Sequence, residues 1–457
     1  PLPPLSAPPS GTASDARELS AESSGCPSES LSASPPSQAA SLVVLELFAG
    51  LGAGRMAIED LGLSVAAYYA AETASDAVMV LSAAHPDVQH LGDIEGVSDA
   101  FVQSLCLQYP DSWLVLLAGP PCVDVSRLNP HGRGAHGAQS GLHAHVGRLW
   151  AALQQAAPAR SFGLMECTDM APSDRRAYDA VFDSSAVMLC QRHFAGVTRP
   201  RLWWSSHSPS DPLPAHMSVV DRRGVPELLV GDSRAPLADC LEPGWLPVSC
   251  SERVGPDDSF AFSCFTTRRS RTGPMREPRG IRDASPGAQQ RWAEDLWSQA
   301  PYQYAARNMV ACNAGHRRRL IPEEEERLMG LPAGHTSALC ALAKPPKGSG
   351  VRPVGLHEIA PRRHTLIGNA WAVDVAKCLF QLLLCPLLPV PEPRSAGADL
   401  APALRSAVTP ELLTRAEERC PFLERAEDCG YPGSTGPFGE DQNPWVAAAG
   451  SAGYQER

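Results

Sequence analysis

Hydrophobic patterning is absent from the first forty residues and then begins abruptly. Residues 1–41 are rich in Pro, Ser and Ala, show no apolar period, and read as a disordered leader. Leu42-Val43-Val44-Leu45-Glu46-Leu47-Phe48 follows, a short apolar run of buried-strand type. Helical spacing takes over from Arg55 to Leu61, a second strand runs from Ser64 to Ala71, and a helix spans Ser75 to Ala84. The alternation continues with a helix over 97–107, a strand over 113–118 and a helix over 147–156. Further strands are predicted over 161–165, 187–190 and 202–205. Strands alternating with helices at this interval specify an α/β fold, a doubly wound sheet whose ligands bind at the carboxyl ends of the strands.

The pattern changes near Ser206. Residues 206–320 are Pro-, Arg- and Asp-rich with few periodic segments, which suits a smaller irregular lobe; 42–205 form the cofactor-binding domain before it. Helical runs at 323–330 and 371–384 place a return segment over 321–385, packing back on the sheet. The remainder, 386–457, is an acidic, Pro-rich tail with one capped helix from Thr409 to about Arg419. No apolar stretch approaches the ~20 residues of a membrane span, and no basic-then-apolar signal peptide opens the chain. No membrane partner is expected.

Composition changes the picture in two places. The net charge is −11, yet residues 1–41 hold −3 of it and the segment after Cys385 holds −5. The middle is close to balanced, and its arginines cluster in Arg268-Arg269-Ser270-Arg271, on to Arg282, and again in Arg317-Arg318-Arg319. Local fields dominate within a Debye length of about 8 Å, so an acidic total does not exclude a polyanion partner. A solvated arginine face is the plain alternative. The 14 cysteines include no C-x-x-C pair, which argues against zinc fingers and against a compact disulfide framework. No metal site is expected, and buried thiols in a reducing compartment are the default.

The candidate chemistry lies on loops that leave the strands. Phe48-Ala49-Gly50-Leu51-Gly52-Ala53-Gly54 joins the first strand to the first helix, and glycines there let a ligand approach the helix N-terminus. Glu72 closes the second strand, where a carboxylate accepts hydrogen bonds from ribose hydroxyls. Asp93 follows the third and is placed for an adenine amino group, although an Asp in a turn needs no ligand. These residues imply a nucleoside-bearing cofactor without choosing between NAD and S-adenosylmethionine. Strand 113–118 runs into Gly119-Pro120-Pro121-Cys122, where two prolines stiffen the turn and hold a thiol beside the cofactor. Lone cysteines are more often small buried hydrophobes. Glu166 ends the next core strand, and Arg199 and Arg201 aim at the mouth of the same crevice.

In this order the loops resemble the motifs of the C5-cytosine methyltransferase family. Phe48–Gly54 is similar to its cofactor loop, Pro121-Cys122 to its nucleophile motif, Glu166 to its acidic motif, and Arg199-Pro200-Arg201 to its R-x-R motif. Gly368-Asn369-Ala370-Trp371 resembles its last motif, and 320–332 the segment before it. Cys122-Val123-Asp124-Val125-Ser126, Leu128-Asn129-Pro130 and Gly147-Arg148-Leu149 look most like the eukaryotic de novo DNA methyltransferases, as do Thr266-Thr267-Arg268 and Trp371-Ala372-Val373. Three features depart from the pattern: Cys167 follows Glu166 where the family has Asn, residues are inserted around His136–His145, and Asn369 replaces that branch's basic residue.

The resemblance implies a Rossmann-like, S-adenosylmethionine-dependent methyltransferase sheet with a target-recognition lobe over 206–320. It implies a reaction in which Cys122 adds to C6 of a flipped cytosine, Glu166 donates to N3, Arg201 holds O2, and Arg199 orients Glu166 or the loop. Phe48, Gly50, Gly52, Gly54, Glu72, Asp93, Pro120, Asn369 and Trp371 would bind the cofactor. Ser126, Asn129, Arg148, Thr267, Arg268, Arg269 and Arg271 would contact double-stranded DNA. A nuclear location with chromatin or regulatory protein partners follows from the same likeness. A tRNA cytosine methyltransferase, whose loop reads P-P-C-Q, a non-catalytic DNA-binding homologue, and a dehydrogenase are the alternatives.

Overall fold

The computed structural model describes residues 41–127, 129, 131–231, 234–248, 261–265, 285–287, 289–290, 308–312, 314–345, 353–388 and 455–456. Leu128, Pro130, the leader, the Thr266–Arg282 stretch and the helix expected over 409–419 lie outside the described residues.

Strand β1 (Ser41–Leu47) sits mid-sheet. Leu42 and Val44 belong to the core on one face, and Val43, Leu45 and Leu47 to the core on the other. Burial on both faces is why the run is apolar without alternation. β2 (Ser64–Ala71) and β3 (Gln89–Gly92) extend the sheet one way, β4 (Trp113–Ala118) and β5 (Ser161–Thr168) the other, all parallel. Strand order therefore reverses between β1 and β4, the topological switch point at which such sheets open a crevice. The register aligns Leu47 with Ala118, and Ala118 with Met165, so the loops after β1 and β4 and the residue Glu166 reach one edge together.

Beyond β5 lie β8 (Pro200–Ser205), antiparallel to both neighbours, then β6 (Val187–Cys190), β10 (Pro226–Val230) and β9 (Met217–Asp221), with β15 (Gln455–Glu456) outermost. Helices α1 (Ala53–Asp60), α2 (Ser75–Ala84) and α9 (Val373–Leu383) cover one face through Ile58, Leu81 and Phe380. Helices α3 (Asp99–Gln108), α4 (His143–Ala156) and α5 (Pro172–Phe182) cover the other through Leu105, Trp150 and Tyr178.

Several elements depart from expectation. The sheet does not stop at Ser206, because the β9–β10 hairpin joins it. Helix α5 is unannounced because its first turns are polar, Ser173-Asp174-Arg175-Arg176. Helix α8 (Leu356–Asn369) is hidden by Pro361 in its interior. Helix α4 starts at His143, four residues early, and α9 at Val373, leaving Trp371 in the turn before it. By length and composition 358–387 could span a bilayer, but it is mostly buried and broken between α8 and α9.

Two short pairings matter for the site. β12 (Phe262–Ser263) lies parallel to β7 (Val197–Thr198), and β11 (Trp245–Pro247), β13 (Met309–Cys312) and β14 (Arg317–Arg319) form a separate small sheet. Arg318 on β14 stacks on Trp245 with 4.0 Å to the ring centroid and donates to both carboxylate oxygens of Glu324, at 2.6 and 2.8 Å. That arginine of the Arg317–Arg319 knot is thus committed to packing rather than presented to a polyanion.

After the short α6 (Leu237–Cys240) comes α7 (Pro322–Leu328), in which Glu324, Glu325 and Glu326 are all fully buried. Three buried carboxylates survive only if each is hydrogen-bonded and paired. Glu325 takes the His364 ring nitrogen at 2.7 Å. Glu326 accepts from Arg363 at 3.1 Å and from the Thr336 backbone at 2.8 Å. These contacts bind α7 to α8.

Candidate active site

The loop after β1 turns on a positive φ at Phe48 (57°), Gly50 (53°) and Gly52 (73°). Its floor is Glu46, whose Oε1 accepts from the Gly54 amide at 3.1 Å and whose Oε2 accepts from the Tyr68 hydroxyl at 2.6 Å. Burial raises the Glu46 carboxyl to about 7, against the pull of those two donors. Glu72 closes the rim: it accepts from Gly50 at 2.9 Å and from the Thr73 and Ala74 amides at 2.8 Å each. The ring of His335 donates to the Leu51 carbonyl at 3.0 Å, so a residue far along the chain fixes the loop.

A cleft of about 320 Å³ opens here, lined by Glu46, Phe48, Gly50, Gly119, Asn369 and Trp371 among others. The Cβ of any larger residue at 119 would come within 2.8 Å of the Trp371 indole nitrogen, so glycine is required for that wall to close. Trp371 is held edge-on to Trp203 at 5.0 Å between centroids. Of the nine residues expected at the cofactor, Phe48, Gly50, Asn369 and Trp371 line this cleft, and Glu72 bonds to Gly50. Gly52 and Gly54 are not among the cleft-lining residues, and a Cβ there would meet Leu81 or the Glu46 carboxylate at 2.7 Å. Pro120 is buried, and Asp93 is exposed and caps the turn at Glu95 at 3.1 Å. Aromatic walls, acidic groups at floor and rim, and a glycine-sized approach fit S-adenosylmethionine, a cation carrying an adenosyl group.

Cys122 leaves the carboxyl end of β4 and is half-buried. Burial pushes its thiol above the usual range, opposed by Arg201 and reinforced by Glu166, both within electrostatic reach. Glu166 is buried at the end of β5 and receives Arg201 Nε at 2.9 Å. The register explains the pair: Thr168 faces Arg201 and Glu166 faces Trp203, so Glu166 and Arg201 are diagonal neighbours on one face. Burial raises the Glu166 carboxyl, and the arginines pull it back. Arg199 does not hydrogen-bond Glu166. It donates to the carbonyls of Gly368 (3.1 Å) and Ala370 (2.8 Å), tying the turn that carries Asn369 and Trp371 to the sheet. It is a positioning residue.

Sequence reasoning missed four contributors. Asp124 organises the inserted loop by accepting from the Gln139 and Ser140 amides, each at 3.1 Å, and Gly137 lies so close that a Cβ would fall 2.3 Å from its carboxyl carbon. Ser140 donates back to the Pro121 carbonyl at 3.0 Å, so the insertion braces the nucleophile loop. The Tyr178 hydroxyl bonds to Ser140 at 3.3 Å and to Cys167, the residue standing where the family has Asn. Cys264 lies 3.6 Å from both Arg199 and Arg201. Nothing in local spacing marks a thiol sixty residues away.

The expected nucleic-acid residues fare unevenly. Thr267, Arg268, Arg269 and Arg271 lie outside the described residues. Asn129 donates to the Val123 carbonyl at 2.8 Å and accepts from His131 at 3.2 Å, so it shapes the loop. Ser126 caps the same turn, its amide on the Cys122 carbonyl at 2.9 Å. Arg148 is spent between α3 and α4, on Asp99 and on the Val97 carbonyl at 2.7 Å. A second hollow, about 420 Å³, is lined by Arg127, Arg175, Arg222 and Arg223 with Asp169.

Residues 42–155 match the family described as C-5 cytosine-specific DNA methylase. Among solved structures, a DNMT2 from Spodoptera frugiperda is similar at 14% identity and a TM-score of 0.42, over 75% of this chain and 99% of that one. The Dnmt2 methyltransferase of S. pombe gives 14% and 0.41, over 76% and 99%. Entamoeba histolytica methyltransferase EhMeth gives 13% and 0.42, over 76% and 98%. The cofactor loop and the Cys122 loop, two of the motifs in which the resemblance was read, both lie within the matched residues.

Proposed function

We propose that this chain methylates C5 of a cytosine flipped out of double-stranded DNA, through a transient covalent bond between Cys122 and C6. The observation that carries the reading is the Glu166–Arg201 pair within electrostatic reach of Cys122, on the loop that continues from Gly119 in the wall of the cleft lined by Phe48 and Trp371. C5 of cytosine is a weak nucleophile. Addition of the Cys122 sulfur at C6 turns C5 into an enamine carbon. Glu166 gives N3 a proton as negative charge builds in the ring, which suits a carboxyl whose burial holds its proton. Arg201 steadies O2, and Arg199 keeps the Gly368–Ala370 turn in place. Phe48, Glu72, Asn369 and Trp371 would hold S-adenosylmethionine, which would supply the electrophilic methyl group for C5. Loss of the C5 proton to water then returns electrons to the ring and expels Cys122 as a thiolate, and N3 returns its proton to Glu166.

The resting Cys122 thiol is protonated at neutral pH, so addition includes its deprotonation, and Arg201 is the cation that favours the thiolate. Extruding the base costs a few kcal/mol, met by phosphate contacts that we assign to Arg268, Arg269 and Arg271 and to the hollow of Arg127, Arg175, Arg222 and Arg223. The test is trapping with 5-fluorocytosine placed in duplex DNA and, separately, in tRNA. A covalent complex with the DNA alone is the expected result; trapping on tRNA alone would overturn the substrate, and trapping on neither would overturn the nucleophile.

A further inference from the structure

Cys264 occupies a place in the ionic cluster that the reaction above does not use. β12 runs parallel to β7 with Ser263 beside Thr198, which brings the following residue, Cys264, alongside Arg199. The segment is well held. Phe262 donates to the Gly196 carbonyl at 2.7 Å, Ser263 to the Asn308 side chain at 2.9 Å, and Phe262 and Phe265 are both buried. Between those phenylalanines the sulfur points back at the arginine pair. Arg199 Nη1 and Arg201 Nη2 each reach it at 3.6 Å.

The arginines have few other anions. Arg199 otherwise meets the carbonyls of Gly368 and Ala370; Arg201 meets the Pro200 carbonyl at 2.8 Å and Glu166 at 2.9 Å. Among the described residues, Arg199 and Arg201 are the charged groups facing Cys264, with Glu166 and Cys122 reached beyond Arg201. A buried guanidinium beside a largely buried one is unfavourable without a counter-charge. Glu166 cannot be that counter-charge while it carries the proton destined for N3. We propose that Cys264 is a positioning residue of the site, its thiolate sharing Arg201 with Glu166 so that the carboxyl can hold and release a proton without stranding the arginine pair. This rests on the reading of Glu166 given above.

The ionisation follows from the contacts. As a thiol, Cys264 donates to the Phe265 carbonyl at 3.4 Å; as a thiolate it accepts from two cations. Arginine proximity outweighs burial and lowers its pKa, the opposite of Cys122. Without an anion at 264, Arg201 turns its full charge on Glu166 and strips its proton at lower pH.

The experiment is single-turnover methyl transfer to a duplex DNA oligonucleotide across pH 6 to 9, with wild type, Cys264→Ser and Cys264→Asp. For Cys264→Ser the alkaline limb should move down by about one pH unit, with roughly a tenfold lower rate at pH 8. Cys264→Asp, which restores an anion, should return the limb toward wild type. A merely structural cysteine would scale the whole profile without moving the limb. The thiolate ultraviolet absorbance of wild type minus Cys264→Ser, or minus Cys264→Ala should the serine variant fail to fold, should titrate below the ordinary thiol range. An active wild type whose limb is unmoved in Cys264→Ser overturns the proposal alone, as does a difference absorbance rising only above that range. A wild type that transfers to no DNA overturns the parent reading, and the role with it.

Discussion

Among the described residues, two of the buried clusters of charge are built to opposite ends. Around α7 every carboxylate is closed off: Glu324 by Arg318, Glu325 by His364, Glu326 by Arg363 and the Thr336 amide. At the carboxyl ends of β4 and β5 and the amino end of β8, the balance is left short. Glu166 has one arginine, that arginine also serves Cys264, and the Cys122 thiol is held near cations it does not bond. A satisfied cluster fixes geometry, whereas an under-satisfied one retains groups whose protonation can change when a substrate arrives.

Removing the most reactive group should have the largest kinetic effect and almost no structural one. Cys122→Ser is expected to reduce methyl transfer by at least about 10³-fold while cofactor affinity, read by calorimetry, changes less than about twofold. Glu166→Gln should lower kcat by roughly 10² to 10³ and flatten the alkaline limb of the pH profile, with stability nearly unchanged. The same kind of change in the closed cluster should do the reverse. Arg363→Ala leaves Glu326 buried without its cation and should cost about 3–5 kcal/mol in urea unfolding, with kcat retained in the folded fraction.

Such contrasts could be read only in part from the chain. The apolar run of β1, the carboxylate ending β2 and the prolines before Cys122 are local signals, because parallel strands buried on both faces leave their chemistry at their ends. Partners were not local. The Pro322–Leu328 helix has the composition of a solvated face, and its burial depends on Arg318, Arg363 and His364 arriving from other elements. Gly52 and Gly54 look like part of a ligand loop, yet close packing against Leu81 and Glu46, and at Gly52 a positive φ as well, already call for glycine there. Arg148 reads as a phosphate contact because its partner Asp99 lies on a different helix.

Smaller effects sharpen the contrast. Glu46 lies at the cofactor end of the open region, and its carboxyl sits at about 7. Because the folded value is raised, its ionisation opposes folding: the associated stability is present below about pH 4.5 and is lost as pH rises through about 7. A bound sulfonium reverses that preference, so cofactor affinity should tighten by roughly 3- to 10-fold between pH 6 and 8, and Glu46→Gln should abolish the trend in calorimetry. The smallest change is expected at Arg148. Its ion pair with Asp99 is partly exposed, so Arg148→Ala should cost no more than about 1 kcal/mol, with the salt dependence of DNA binding unaltered.

Arg199 grips the carbonyls of Gly368 and Ala370, and one wall of the cleft is Trp371, while the opposite wall comes from Phe48 and Gly50. During synthesis on the ribosome the two walls are separated by most of the domain. A nascent chain that has exposed Cys122 but not Trp371 carries the proposed nucleophile with only half of the cleft. The cleft is therefore closed only once the Gly368–Ala370 turn and the start of α9 have docked on the sheet.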